Sequence, residues 1–317
     1  MGALGVPLQG PRLKAQVRSH TSYASRWAQN WMTAACVLGA AVGLSGQTFR
    51  GGVVTVPVTA TVVDAQGRLV RGLSREDFQV FEDGTERPVS QFSDQRVPVS
   101  LGLLLDASDS MRGQPIVDAR AAVERFIGAL LMEEDEAFVA FFNHRPRLAA
   151  PWTRPASAAR LGPVLAGGGT AMYDAVVEAA PFFDRRARPR AALVVISDGA
   201  DTASDRTLQQ ARDAVVRRDA FVYAVAIDEV DARASTRVNP AALQDLTSPT
   251  GGYTEVVRSS ADLGPATARI AEELNAQYTI GFNPSRAADG TWRTLRVRVK
   301  REGLLVRSRR GYMSESR

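Results

Sequence analysis

The middle of the chain alternates short apolar runs with amphipathic stretches, and this alternation restricts the folds available to it. Four runs contain few polar residues, as expected of strands that are covered on both faces: residues 99–105, 137–142, 191–197 and 221–227. Residues 114–131 place apolar side chains at spacings of three and four, typical of one helical face: Ile116, Ala119, Val123, Phe126 and Leu130. The alternation predicts an α/β fold with a doubly wound, mostly parallel sheet flanked by helices.

Further helices are predicted over residues 171–183, 205–218 and 260–275. A short helix is predicted to begin at Asn239-Pro240, because Asn is a favourable cap and Pro fits the first helical turn. In the last of these helices, Leu263, Ile270 and Leu274 are expected to face the core.

The segments on either side of this region have strand character. Residues 53–63 alternate with period two, which places Val54, Val56, Val58, Ala60 and Val62 on one face. Residues 278–282 and 294–300 are predicted strands on the far side. Each flank is close to the ~40 residues below which a domain rarely folds without a disulfide or a metal. We therefore expect the two flanks to pair into a small β-sandwich, with the α/β domain inserted between its halves.

This organisation divides the chain into four parts. We expect a leader over residues 1–46, the first half of the β-domain over 47–96, the α/β domain over 97–275 and the second half of the β-domain over 276–317.

The leader differs in charge from the rest of the chain. It contains four basic residues and no acidic one, which leaves 35 basic against 34 acidic residues elsewhere despite a pI near 9.8. Nucleic-acid binding is therefore not indicated. Residues 32–44 are small or apolar, and these thirteen residues fall short of the ~20 that span a bilayer.

We expect the leader to be a signal peptide, and the protein to be secreted, periplasmic or otherwise in a bacterial cell envelope. An organelle presequence and an uncleaved anchor are the alternatives, and only the anchor would bring membrane contact. The single cysteine, Cys36, lies in the leader. The mature chain is thus expected to have no disulfide, thiol catalysis or zinc-cysteine site.

Polar side chains cluster where predicted strands end. Asp106, Ser108 and Ser110 follow the first parallel strand, Asp198 follows a later one, and Thr170 ends the Gly167-Gly-Gly run before a predicted helix. Ligands of doubly wound sheets bind beyond the carboxyl ends of the strands. These groups are all oxygen donors, which suit Mg²⁺, whereas a mature chain with one His and no Cys disfavours metals that prefer nitrogen or sulfur.

The three clusters, DASDS, GGGTAMYDA and ISDGAD, resemble the metal-ion-dependent adhesion site of von Willebrand factor A domains. The resemblance spans residues 97–275 and fills all five signature positions. The flanks are similar to the bacterial VWFA-related family of the type found in acidobacteria, through the pattern of residues 63–84 and the closing Arg309–Tyr312.

The resemblance implies a site for Mg²⁺, or for Mn²⁺ or Ca²⁺. Ser108, Ser110 and Thr170 would bind the ion through their hydroxyls, and Asp106 and Asp198 would act directly or through water. It also implies a protein partner that presents an acidic side chain to the ion, with no small-molecule cofactor. Asp174 and Asp201 are candidates for orienting ligands or water, or alternatively are charges at a helix N-terminus.

Two other functions are weighed against this one. A structural scaffold would have a site that is non-functional or only stabilises the fold. A metal-dependent phosphohydrolase is less favoured, because haloacid-dehalogenase-type enzymes have a second Asp two positions after the first, where this chain has Ser108. Ser-His or Ser-Lys catalysis would need His144 or Lys300, and neither lies in a recognisable motif. We predict no catalytic residue and no enzymatic activity.

Overall fold

Strands and helices follow one another in three blocks in the computed structural model, which describes residues 55–228 and 239–314. The strands are β1 (Val56–Val63), β2 (Phe78–Glu82), β3 (Thr85–Arg87), β4 (Val89–Ser93), β5 (Val99–Asp106), β6 (Glu136–Phe142), β7 (Pro146–Thr153), β8 (Arg190–Ser197), β9 (Ala220–Ile227), β10 (Thr254–Val257), β11 (Tyr278–Phe282), β12 (Trp292–Val299), β13 (Leu305–Ser308) and β14 (Gly311–Met313). The helices are α1 (Gln114–Arg125), α2 (Pro155–Ala158), α3 (Met172–Ala179), α4 (Leu208–Val216), α5 (Pro240–Thr247) and α6 (Leu263–Leu274).

The predicted leader, including Cys36, lies outside the described residues, as does Val54 of the predicted first strand. No helix within the described residues is long and apolar enough to cross a membrane.

The middle block forms a six-stranded sheet in the order β10-β9-β8-β5-β6-β7. All neighbouring strands pair in parallel except β7, which is antiparallel to β6. The predicted doubly wound, mostly parallel sheet is confirmed. β7 and β10 were not predicted from the sequence. β7 contains Pro146 and Pro151 and is largely exposed, features that an edge strand tolerates but that weaken its sequence signal.

Helices cover both faces of this sheet. Buried side chains of α1 and α6 pack on one face, and those of α3, α4 and α5 pack on the other. The predicted inward positions Leu263, Ile270 and Leu274 are all buried. Because β5 lies between β6 and β8, the chain reverses its direction of winding at β5. Such a reversal opens a crevice at the carboxyl end of the strand.

Several helices differ from their predicted limits. The stretch predicted as one helix over residues 114–131 is α1 followed by a π-helix (Phe126–Leu130), and two further differences have a clear local reason. The stretch predicted as one helix over residues 171–183 is α3 followed by a 3₁₀ helix (Ala180–Arg185) that contains Pro181. Pro removes a backbone donor and interrupts α-helical hydrogen bonding. α4 begins at Leu208, later than predicted, because Thr207 caps it by accepting a hydrogen bond from the Gln210 backbone nitrogen at 3.2 Å.

The flanks form two antiparallel four-stranded sheets, β13-β1-β11-β4 and β14-β12-β2-β3. Each sheet contains strands from both ends of the chain: β1 pairs with β11 and β13, and β2 pairs with β12. Val58, Ala60, Val80, Ile280 and Phe282 belong to the buried apolar cluster of these strands. The predicted pairing of the flanks into a β-sandwich is therefore confirmed, whereas the domain limits remain predictions.

A buried carboxylate ties this cluster together. Glu82 accepts hydrogen bonds from the Tyr312 hydroxyl at 2.6 Å, the Ser285 backbone nitrogen at 2.8 Å and the buried Arg293 guanidinium at 3.3 Å. Burial alone would raise the pKa of Glu82, but the hydrogen bonds from Tyr312, Ser285 and Arg293 outweigh it and lower the pKa to about 2. The ionised form of Glu82 therefore stabilises the contact between β2 and the C-terminal strands.

A second buried carboxylate joins the α/β domain to the sandwich. Glu273, at the end of α6, accepts hydrogen bonds from Thr61 of β1 at 3.0 Å and Tyr223 of β9 at 3.1 Å. It also forms an ion pair with Arg307 of β13. Gln277 donates to the hydroxyl oxygens of both Thr61 and Tyr223 at 3.3 Å. One polar network thus fixes the last turn of α6 against two strands of the sandwich.

We expect Glu82→Gln to lower the free energy of unfolding at pH 7 by roughly 3 kcal/mol, because the substitution leaves the buried Arg293 without its charged partner in β2. The folded-state pKa of Glu82 is lower than the ordinary value of 4.5, so its contribution is complete above pH 4.5 and is lost as the pH falls towards 2. The variant should therefore lose stability less steeply than the wild type over this pH range.

Urea unfolding followed by circular dichroism between pH 2 and 7 measures both effects. Glu86→Gln is the matched control, because Glu86 is an exposed acid on the adjacent β3 and should change stability by less than ~0.5 kcal/mol. Equal stability of the Glu82 and Glu86 variants would contradict the role given to Glu82.

Candidate metal centre

The loop after β5 starts from a fully buried carboxylate. Asp106 is 0% exposed. One of its oxygens accepts a hydrogen bond from the Ser108 backbone nitrogen at 2.8 Å. The other accepts a hydrogen bond from the Ser197 hydroxyl, at the end of the neighbouring β8, at 2.5 Å. Asp106 therefore joins the ends of two adjacent parallel strands.

A chain of hydrogen bonds connects the predicted ligands of these two strands. The Ser108 and Ser110 hydroxyl oxygens are 3.1 Å apart, and Ser110 donates to the Asp198 carboxylate at 2.7 Å. Four of the five predicted ligands, including Asp106 through the Ser108 backbone, are thus brought together.

Thr170 is the fifth predicted ligand. Backbone hydrogen bonds hold its loop against the loop that follows β5. Gly167 donates to the Ala107 carbonyl at 2.8 Å, and Asp109 donates to the Gly168 carbonyl at 2.9 Å. Thr170, two residues further on, is 5% exposed, and its carbonyl accepts a hydrogen bond from the Thr202 nitrogen at 2.8 Å. Thr170 is therefore held between the loops that follow β5 and β8.

Residues 167–169 form a glycine loop, and its close approach to the loop after β5 depends on Gly168. Its φ is +87°, a conformation that residues with a Cβ rarely adopt. A Cβ at this position would also lie 2.8 Å from Nδ1 of His144. His144 is exposed in the turn between β6 and β7 and packs against Gly168.

Asp174 and Asp201 make contacts that the sequence analysis did not identify. Asp174 accepts hydrogen bonds from the backbone nitrogens of Asp205 and Arg206, at 3.0 and 2.9 Å. Asp201 accepts hydrogen bonds from the Tyr173 backbone nitrogen at 2.9 Å and the Ser204 hydroxyl at 2.7 Å. Both carboxylates anchor the segment after β8 to the first turn of α3.

The electrostatics of Asp106 are unfavourable without a cation. Burial raises its pKa to about 6, and the nearby Asp198 charge adds to the effect, although hydrogen bonds from Ser197 and Ser108 oppose it. Within the described residues, no Lys or Arg forms an ion pair with Asp106. A bound cation would supply the compensating charge.

The donor set fits a hard divalent cation. Carboxylate and hydroxyl oxygens converge from adjacent loops, which is the chemistry that Mg²⁺ and Ca²⁺ prefer. Over residues 55–228 and 239–314, no three His, Cys, Asp or Glu side chains form a cluster that could hold a metal ion. A metal at this rim would therefore depend on the serine and threonine hydroxyls as well as on the two carboxylates.

Sequence reasoning did not identify Ser197 as part of the site. The sequence did contain a sign of this role, because Ser197 directly precedes the predicted ligand Asp198 at the end of a buried strand. Its side chain is 1% exposed, and a buried hydroxyl at this position requires a polar partner, which Asp106 provides.

We expect Ser197→Ala to weaken Mg²⁺ binding roughly tenfold, because one hydrogen bond to a charged group contributes about 1.5 kcal/mol and this one holds Asp106 in its ionised form. Isothermal calorimetry at pH 7 measures the change. Ser100→Ala is the matched control, because Ser100 is a buried hydroxyl at the opposite end of β5 that donates to Glu136. Equal Mg²⁺ affinity in the wild type and both variants would exclude a role for Ser197.

Comparisons with known proteins identify the middle of the chain. Residues 101–200 match the family model of the von Willebrand factor type A domain. No curated protein matches the chain at a significant level.

Several solved structures resemble this one. Proximal thread matrix protein 1 from the mussel byssus, with a zinc-occupied MIDAS motif (metal-ion-dependent adhesion site), matches at TM-score 0.51 and 12% identity. That match covers 62% of this chain and 50% of the mussel protein, so this chain spans about half of that protein's length. A von Willebrand factor type A structure from Catenulispora acidiphila matches at TM-score 0.49 and 13% identity, over 82% of this chain and 74% of the other.

At these identities, structural likeness bears on the fold alone. The six-stranded sheet with helices on both faces and the family match over residues 101–200 lead to the same assignment. The middle of the chain therefore has the fold of a von Willebrand factor type A domain and matches that family's model over residues 101–200.

Proposed function

We propose that this domain binds a divalent cation, Mg²⁺ in the first place and Mn²⁺ or Ca²⁺ as alternatives, and through it an acidic side chain of a protein partner. Asp106, Ser108, Ser110, Thr170 and Asp198 are the proposed ligands. The observation that carries the proposal is the hydrogen-bonded chain of Ser108, Ser110 and Asp198 beside the buried Asp106.

The choice of an acidic partner follows from the charge of the ligands. Three of the five proposed ligands are neutral hydroxyls, and Asp106 and Asp198 leave part of the cation's positive charge exposed where they act through water rather than by direct contact. An anionic oxygen from outside the domain would bind the remaining positive charge. A carboxylate from a partner protein meets this requirement, and no bond has to break. We accordingly propose a non-enzymatic interaction module.

The proposed roles of Asp174 and Asp201 follow from their contacts. They bind backbone groups of residues 204–206 and of α3. They would therefore hold the loops of Asp198 and Thr170 at a fixed separation, without touching the cation themselves.

One similar structure supports the metal-binding part of the proposal. The mussel thread protein has the same fold and is described with zinc in its MIDAS motif. That occupancy belongs to the mussel protein. It supports the proposal that this fold can present such a site, and the oxygen-only donor set favours Mg²⁺ over zinc.

We further propose that the protein acts outside the cytoplasm of a bacterium, secreted or in the cell envelope. The support is the sequence of the leader: a basic, acid-free segment, a short apolar run, and the small residues Gly43, Ser45 and Gly46. The similarity of the flanks to the VWFA-related family is in keeping with this location.

We expect Mg²⁺ to bind the wild-type chain and to raise its thermal midpoint, because a ligand that binds only the folded state stabilises it. Asp106→Ala and Thr170→Ala should each lower the affinity by more than about 100-fold, which corresponds to roughly 3 kcal/mol. Calorimetric titration with Mg²⁺ and Mn²⁺ measures both. Asp109→Asn is the matched control, because this exposed acid in the same loop pairs with Arg112 and is not a proposed ligand.

A folded wild type that binds neither ion would reject the proposal and favour the scaffold alternative. Metal-dependent turnover of p-nitrophenyl phosphate, abolished by Asp106→Ala, would instead favour the phosphohydrolase.

A further inference from the structure

A cleft of about 310 Å³ opens beside the candidate metal centre. Its walls include Ala107, the turn at His144 and Arg145, Arg147 of β7, and Leu165 of the loop before α3. Nothing in the metal centre itself accounts for this cleft, because none of the five proposed ligands lines it.

The cleft adjoins the loop after β5 that carries Asp106, Ser108 and Ser110. Ala107 lies between Asp106 and Ser108 in the sequence, and its backbone nitrogen donates to the Phe142 carbonyl at 2.6 Å. Asn143, in the turn on the other wall, donates to the Gly167 carbonyl at 2.7 Å. These bonds hold the walls of the cleft against the loops that carry Asp106, Ser108 and Thr170.

The cleft has positive charge. No acidic residue lines it, and the side chains of His144, Arg145 and Arg147 are all exposed. Within the described residues, Arg145 and Arg147 form no ion pair, whereas the nearby Arg112 is paired with Asp109 at 2.7 Å. Two guanidinium groups are therefore available to an anionic ligand from solution, and guanidinium is well suited to carboxylate.

The cleft also has an apolar side. Leu165 is 83% exposed at its rim, while Phe141 and Phe142 are buried at its base. The methylene groups of an acidic side chain could pack on Leu165 while its carboxylate meets the arginines.

We propose that this cleft is a second binding site for the partner of the metal centre and that it takes a second acidic residue of the same extended segment. The inference rests on the function proposed above: one carboxylate of the segment binds the cation, and another binds Arg145 and Arg147. The partner is thereby specified as an acidic peptide segment with at least two carboxylates, rather than any protein with one exposed acid.

A homopolymer tests this without knowledge of the spacing between the two carboxylates. Fluorescein-labelled deca-glutamate presents a carboxylate about every 3.3 Å along an extended chain. Its binding to the full chain is measured by fluorescence anisotropy with 5 mM Mg²⁺ (an order-of-magnitude choice, roughly saturating for a site of millimolar affinity or better), and again with EDTA. N-acetyl-aspartate amide, which has a single carboxylate, serves as a competitor that can occupy only one site at a time.

We expect Arg145→Gln combined with Arg147→Gln to weaken deca-glutamate binding at least tenfold, while Mg²⁺ affinity by calorimetry is unchanged. The matched control is Arg154→Gln combined with Arg217→Gln, which removes the same charge from two exposed arginines outside the cleft and should change the affinity less than twofold. Ser110→Ala should abolish both Mg²⁺ binding and Mg²⁺-dependent peptide binding.

The outcomes separate the two proposals. If the wild type binds Mg²⁺ but the two double variants bind the peptide equally well, the proposed role of the cleft is wrong and the proposed function stands. Failure of the wild type to bind Mg²⁺ overturns both proposals. Peptide binding that is equally strong in EDTA and is lost in the Arg145 and Arg147 variant overturns the two-point mode, because the arginines would then bind anions without the metal.

Discussion

The candidate site depends on β5 lying between β6 and β8 and pairing in parallel with both. Parallel pairing brings the carboxyl ends of neighbouring strands within about 5 Å of each other, so Asp106 meets Ser197 and Ser110 reaches Asp198. The change of winding direction at β5 opens a crevice at this end of the sheet. The glycine loop then fills part of the opening through hydrogen bonds to Ala107 and Asp109.

Two fully buried carboxylates show how the surroundings decide the charge of a group. Glu82 is surrounded by Arg293, Tyr312 and a backbone donor, and its pKa is lowered to about 2. Asp106 has only neutral donors and a neighbouring carboxylate, and its pKa is raised to about 6. The first carboxylate is satisfied within the fold. The second is satisfied only partly, so that cation binding and folding stability are linked at this position.

The sequence predicted the parts of the fold that depend on local patterns. The apolar runs located β5, β6, β8 and β9, and the spacing of Ile116, Ala119 and Val123 located α1. Local patterns did not predict the edge strand β7, where exposure and Pro146 remove the signal. They also missed the networks around Glu82 and Glu273, because their partners are distant in sequence and become neighbours only through the topology. At the candidate site, the motif residues could be proposed from the sequence. The hydrogen bond from Ser197 and the position of the cleft arginines could not, because both depend on the fold.

The polar network of Glu273 joins residues that are synthesised far apart in time. Thr61 precedes Glu273 by 212 positions, and Arg307 follows it. β1 therefore remains without either of its neighbouring strands until β11 and β13 have emerged from the ribosome. All six strands of the α/β sheet lie between these flanks and pair only with one another, so this sheet can form earlier. A chain whose translation stops before residue 278 would expose β1 as an unpaired, partly apolar strand, which is a template for aggregation. For this molecule, the synthesis of β11 and β13 is the step that closes the sandwich.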